Sequence, residues 1–361
     1  MSKQFIRFML FIFIAIGMSN AAFAQDATPT APERVLSIAT VPVLVPPLTS
    51  DNAIERYTGA MQKAADAGVT GNLIAKRWSE LEPSAGQYTL DDFSGDLNYR
   101  TQIYNQVQLV GIQVLNTTAK ETPPDLMKVA FDGPEMIQRF QQFFDALLPR
   151  LNKQVQYLSI GNEVDAYLSA HPDEWKPYQQ FYESALKHVH QTAPWIKVGV
   201  TTTFGGTLLD PQKVADLNTL SDVIIMTYYP LKNDFSVRPA DSPLSDFPQM
   251  VKWAGDKPLI LQEVGYPAAE SLGSSEAAQA DFVRNVFTAW EADGAHIPFL
   301  SYFALGDFSD ELCTTLLTYY GLPDQKHFYD YLCTLGLLKA DGTPRQAWQV
   351  FEDEGKVTVK K

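Results

Sequence analysis

Cysteine is nearly absent: Cys313 and Cys333 are the only two in 361 residues. No histidine stands beside either at ligand spacing, so a metal centre built on them is not expected. His188 and His190 are two apart on an expected helix, face different directions and cannot share an ion. Positive charge is also short, with 28 Lys and Arg against 42 Asp and Glu and a formal charge of −14. A surface of that sign repels nucleic acid and anionic lipid, which argues against both as partners and suits a neutral ligand. A glycine-rich phosphate turn is missing as well. The stretch after the first expected strand reads Val43-Leu-Val-Pro-Pro47, which argues against a doubly wound nucleotide-binding sheet. There is no linker, no second hydrophobic domain and no low-complexity segment beyond Gln25–Pro32.

What is present begins with an address. Lys3 and Arg7 precede a continuous apolar run from Phe8 to Met18, and Ala22-Phe23-Ala24 offers the small-x-small pattern cut by signal peptidase. The run is too short for a stable transmembrane helix, so residues 1–24 read as a cleaved signal peptide and 25–33 as a flexible N-terminal segment. No membrane insertion is expected after cleavage. Export implies a secreted or periplasmic protein. Its even cysteine pair, Cys313 and Cys333, is then expected to close a local loop as a disulfide.

The remaining chain alternates short apolar runs with longer amphipathic ones. Eight strand candidates stand out: Val35–Thr40, Asn72–Lys76, Gln108–Leu115, Gln156–Ile160, Lys197–Thr202, Asp222–Thr227, Pro258–Gln262 and Phe299–Phe303. Each is rich in Val, Ile and Leu, as strands buried on both faces should be. Helical spacing follows Pro134 through Met136, Ile137, Phe140, Phe144, Leu147 and Leu151. It returns after Ser274 or Ser275, either of which suits a cap, and is weaker over 174–192, 209–220 and 243–254. A repeated βα unit with right-handed crossovers closes into a single (β/α)8 barrel, here spanning 34–361. A hydrophobic content of 45 % is enough to fill one.

Two strands end in acids. Tyr157-Leu-Ser-Ile-Gly-Asn-Glu-Val-Asp165 delivers Asn162 and Glu163 to the end of the fourth strand. Pro258-Leu-Ile-Leu-Gln-Glu-Val-Gly-Tyr-Pro267 delivers Glu263 to the end of the seventh. Strands four and seven face each other across a barrel mouth, where such folds build their sites, so the carboxylates can converge. Two carboxylates about 5–5.5 Å apart cleave a glycosidic bond with retention, one attacking the anomeric carbon while the other protonates the leaving oxygen; about 6.5–9.5 Å apart they admit a water between them and invert, and the residues alone leave both outcomes open. The apolar runs before them set both acids at the rim of a core, where surroundings shift pKa values.

Ile160-Gly-Asn-Glu-Val164 and Glu263-Val-Gly-Tyr-Pro267 resemble the two catalytic motifs of the clan A retaining (β/α)8 glycoside hydrolases. They are most similar to those of the β-1,3-glucanases and endo-β-1,4-galactanases. The resemblance implies Glu163 as acid/base, Glu263 as nucleophile and Asn162 as the contact to a sugar 2-hydroxyl. Within Met226-Thr-Tyr-Tyr-Pro230 it implies a tyrosine on the nucleophile, best matched by Tyr229, with Tyr228 as the alternative because only one of the pair points inward. Arg77-Trp-Ser-Glu-Leu-Glu-Pro-Ser-Ala-Gly-Gln-Tyr88 resembles the cleft floor after strand two. There Arg77 would hold the nucleophile's pKa low and Trp78 would contact substrate, while Glu80 and Glu82 read as structural acids. Asn116, Thr117 and Thr118 could reach sugar hydroxyls. Strand eight departs from the clan: it lacks the expected Trp and reads Ser301-Tyr-Phe-Ala-Leu-Gly-Asp-Phe308, so Phe303 or Phe308 would stack on the sugar. The implied activity is cofactor-free hydrolysis of a neutral poly- or oligosaccharide of β-glucan or β-galactan type. The competing class is a non-catalytic carbohydrate-binding or scaffold barrel of the cell envelope.

Overall fold

The computed structural model describes residues 34–42 and 49–358; the expected signal peptide and the segment 25–33 lie outside them. All eight expected strands form: β1 (Val35–Ile38), β2 (Gly71–Arg77), β3 (Val107–Asn116), β4 (Val155–Asn162), β5 (Lys197–Gly199 and Thr201–Thr203), β6 (Ile224–Tyr228), β7 (Leu259–Val264) and β8 (Phe299–Tyr302). Every pairing between them is parallel. One arc runs from β2 to the first half of β5, and the other from the second half of β5 through β6, β7 and β8 to β1. The arcs share β5 and meet again where the Thr70 N–H donates to the Leu36 carbonyl at 2.9 Å. The result is a single closed (β/α)8 barrel.

Alternation along each strand sorts side chains between two cores. In β4, Tyr157 points inward onto Val35, Leu109, Ile225, Ile260 and Phe299, while Leu158 and Ile160 point outward to the helices. Above that apolar plug the interior turns polar. Ser159 and Thr201 share a hydrogen bond of 2.6 Å, and Thr201 donates to Gln262 at 2.7 Å. The core therefore ends one layer below the mouth, and polar groups begin where a ligand would enter.

The outer helices are α1 (Ala53–Asp66), α2 (Asp91–Tyr104), α3 (Pro134–Leu147), α4 (Trp175–Thr192), α5 (Pro211–Leu217), α6 (Pro243–Ala254), α7 (Glu276–Asp293) and α8 (Gln346–Thr358). The segment 209–220 is not one helix. Asp210 caps a fresh start at Pro211, separating α5 from a short helix over Phe204–Leu209. Pro149 likewise stops α3 and leaves a single 3-10 turn, Leu148–Arg150. Ser275 caps α7, accepting from the Ala278 N–H at 3.0 Å, whereas Ser274 donates to the Pro267 carbonyl. Helices α1 and α2 escaped the periodic reading because their buried faces carry few large apolar residues: Ala53, Ala60, Met61 and Ala64 in one, Phe93 and Leu97 beside Ser94 and Arg100 in the other.

A long insertion interrupts the βα rhythm after β8. Between β8 and α8 the chain makes two extra helices, Asp310–Tyr319 and Lys326–Leu332, joined by the Cys313–Cys333 disulfide with Cα atoms 6.0 Å apart. They enclose a small core of Leu317, Phe328, Leu332 and Leu335. At its root Arg345 clasps Asp307 with bonds of 2.9 and 2.6 Å, both residues being buried.

Candidate active site

Both motif glycines have a steric reason. Gly161 sits at φ +94°, and a Cβ there would lie 2.3 Å from the Tyr178 hydroxyl. A Cβ on Gly265 would lie 2.6 Å from the Tyr229 ring, so glycine is what lets Tyr229 lean over β7. Glu163 follows the first glycine in left-handed backbone, φ 47° and ψ 43°. Thr117 and Phe235 share positive φ, and three of the four such non-glycine residues in the described chain thus stand around this mouth. Each conformation costs about 1–3 kcal/mol, a cost tolerated mostly at functional positions.

The strand ends are joined inside the barrel. Gln262 Nε2 donates to Asn162 Oδ1 at 2.7 Å, although these residues come from β7 and β4. Each immediately precedes one of the glutamates. Asn162 in turn donates to Asn116 at 2.9 Å. Thr227, the register partner of Glu263 on β6, donates to Glu163 Oε1 at 2.7 Å, and Thr117 donates to Glu163 Oε2 at 2.7 Å. Glu263 accepts from the Tyr229 hydroxyl at 2.7 Å. Tyr228 points outward instead, its hydroxyl on Asp246 at 2.7 Å. Alternation therefore selects Tyr229.

Electrostatics differ from expectation in one respect. Burial, and then the charge of neighbouring Glu163, push Glu263 up to about 7, outweighing the hydrogen bonds from Tyr229 and Gln262 that act the other way. The positive charge expected to oppose this rise is directed elsewhere. Arg77 is engaged by Glu80 and lies 3.8 Å from Glu121, on the wall beyond β3. Asp165, just past Glu163, is pushed up to about 6 by burial despite two bonds from Thr203, which tie the helix after Glu163 to β5.

One further expectation changes. Trp78 is not at the cleft floor. It is fully buried, packs against Phe140, Phe143 and Phe181, and donates to Glu82 at 3.0 Å. The turn after Arg77 enters a helix at Trp78 that rotates the indole outward, between barrel and helices. Phe303 meets Tyr229 edge-on at 6.4 Å and Phe308 at 5.8 Å, so it packs behind the tyrosine that bonds Glu263.

The sequence reading missed three tyrosines from the insertion. Tyr319 accepts from Asn116 at 3.0 Å and donates to Glu121 at 2.8 Å. Tyr320 and Tyr331 lie close enough to feel the charge of both glutamates, which adds to the burial raising their own hydroxyls. Only their position in the long segment after β8 could have flagged them. Among the described residues no group of His, Cys, Asp and Glu has the arrangement of a metal site, and no helix is long and apolar enough to cross a membrane.

No family model matches this chain, and no curated protein matches it. Solved structures do. An exo-β-1,4-mannosidase from Opitutaceae bacterium strain TAV5 superposes with a TM-score of 0.69 at 16% identity, over 91% of this chain and 60% of its own length. A GH5_18 structure from Streptomyces cattleya in complex with GlcNAc gives 0.69 at 14% identity, over 90% of this chain and 80% of that one. A family 39 glycoside hydrolase from the gut symbiont Bacteroides cellulosilyticus WH2 gives 0.58 at 14%, over 91% and 64%. At such identities the likeness establishes the barrel, and this chain spans less than two thirds of the mannosidase.

Proposed function

We propose that the protein is a retaining β-glycoside hydrolase acting on neutral β-linked poly- or oligosaccharides. The observation that carries the reading is the meeting of Glu163 and Glu263 from opposite strands, tied by the Gln262–Asn162 bond and bridged by Thr227. Glu263 attacks the anomeric carbon and Glu163 protonates the departing oxygen. The sugar is left as an ester of Glu263, which water hydrolyses with Glu163 now acting as base. In the free site burial and the charge of Glu163 hold Glu263 above its ordinary value, and the reaction needs Glu263 ionised with the proton held by its partner acid. Thr117 and Thr227 suit the exchange, because a hydroxyl that donates to a carboxylate can rotate to accept from a carboxylic acid. Positive charge developing on the sugar then favours ionised Glu263.

The motif resemblance supports a glucan or galactan substrate. The mannosidase neighbour adds β-mannosides to the field. The signal-like residues 1–24 support a secreted or periplasmic protein whose exported form begins at Gln25. The experiment is Glu263→Ala assayed on activated aryl β-glycosides with and without azide. Turnover should vanish and partly return with azide as an α-glycosyl azide. Undiminished hydrolysis by the variant would remove Glu263 from the nucleophile's role.

A further inference from the structure

The insertion after β8 forms a continuous wall around one side of the glutamates. It starts at Glu263, whose partner Tyr229 meets Tyr331 edge-on at 5.6 Å. Tyr331 lies 5.9 Å from Phe328, and Phe328 meets Tyr320 edge-on at 5.4 Å. Tyr320 meets Tyr319 at 5.1 Å, and Tyr319 receives Asn116, which itself bonds Asn162 beside Glu163. The wall thus runs from one carboxylate to the residue preceding the other. It is stiffened by the disulfide and rooted by the buried Asp307–Arg345 pair, so it is built into the fold. Across the mouth Tyr319 is fastened to Glu121, in the segment after β3.

This wall stands on the side that holds Tyr229, Asn162 and Asn116, the groups that would grip the sugar being attacked. A polysaccharide threaded through an open groove needs room for sugars beyond that one, and the run of tyrosines stands against these groups on the same side. We propose that the insertion makes the site a blind pocket that accepts the non-reducing end of a β-linked oligosaccharide and releases one sugar at a time. The inference rests on the hydrolase reading above and adds exo action and a short-chain substrate to it. The tyrosine rings suit a neutral sugar, offering apolar area for its ring. Release follows the chemistry already given: the terminal C1–O bond breaks, water supplies the new C1 hydroxyl, and the shortened chain leaves with the proton.

The test uses the wild-type protein with three probes: aryl β-glycosides, free β-linked pentasaccharides of the manno, gluco and galacto series, and the same pentasaccharides blocked by a benzylidene acetal on the non-reducing sugar. The free chains of the accepted series should release monosaccharide first, and their blocked counterparts should be cut at least about 100-fold more slowly, since a rigid pocket rejects the added group. Internal cleavage of blocked chains at rates near those of free ones, with aryl glycosides also turned over, would overturn the blind pocket and leave the hydrolase reading standing. No turnover of any probe would overturn both.

Discussion

Removing the buried acid of β7 should strengthen the fold, and by an amount that depends on pH. Glu263 is pushed from 4.5 to about 7 in the folded chain. Between those values the folded state holds a proton that the unfolded chain has released, so stability present below about pH 4.5 is lost as pH rises towards 7. At about 1.4 kcal/mol per pH unit, the rise amounts to about 3 kcal/mol of destabilisation above pH 7. Glu263→Gln keeps an acceptor for Tyr229 and cannot ionise. Urea denaturation should therefore show the variant about 3 kcal/mol more stable than wild type at pH 8 and nearly equal to it at pH 4. Hydrolytic activity should be lost in the same variant, as expected where a site gives up stability for function. An equal difference at both pH values, or a less stable variant at pH 8, would refute the electrostatic account.

Trp78→Ala should destabilise the protein by about 3–5 kcal/mol while leaving KM for an aryl glycoside within about twofold, because its indole sits in the core rather than the cleft. A large rise in KM without loss of stability would return Trp78 to the substrate. Arg345→Ala strands the buried Asp307 and should cost about 3–5 kcal/mol by the same urea assay. An effect below about 1 kcal/mol would mean that the pair does not anchor the insertion.

The chain announces its barrel plainly, because strands covered on both faces must be nearly all apolar, and eight such runs leave little choice of architecture. The glutamates were equally legible: each follows a buried strand with a glycine nearby that the geometry requires at Gly161 and Gly265. Arg77 and Trp78 were not. Both lie where β2 gives way directly to a helical turn, and a rotation of one residue there decides between cleft and core. Thr227 was hidden because a single hydroxyl carries no pattern. Tyr319, Tyr320 and Tyr331 were hidden because nothing in their local spacing says that a segment following β8 folds back towards the loop after β3.

The amide-to-amide link between Gln262 and Asn162 has a consequence for how such a protein can change. It spans the barrel one residue below the two acids, so their separation is gauged by rigid scaffold rather than by surface loops. Loop exchange could then reshape the walls of the mouth while the two carboxylates keep their spacing.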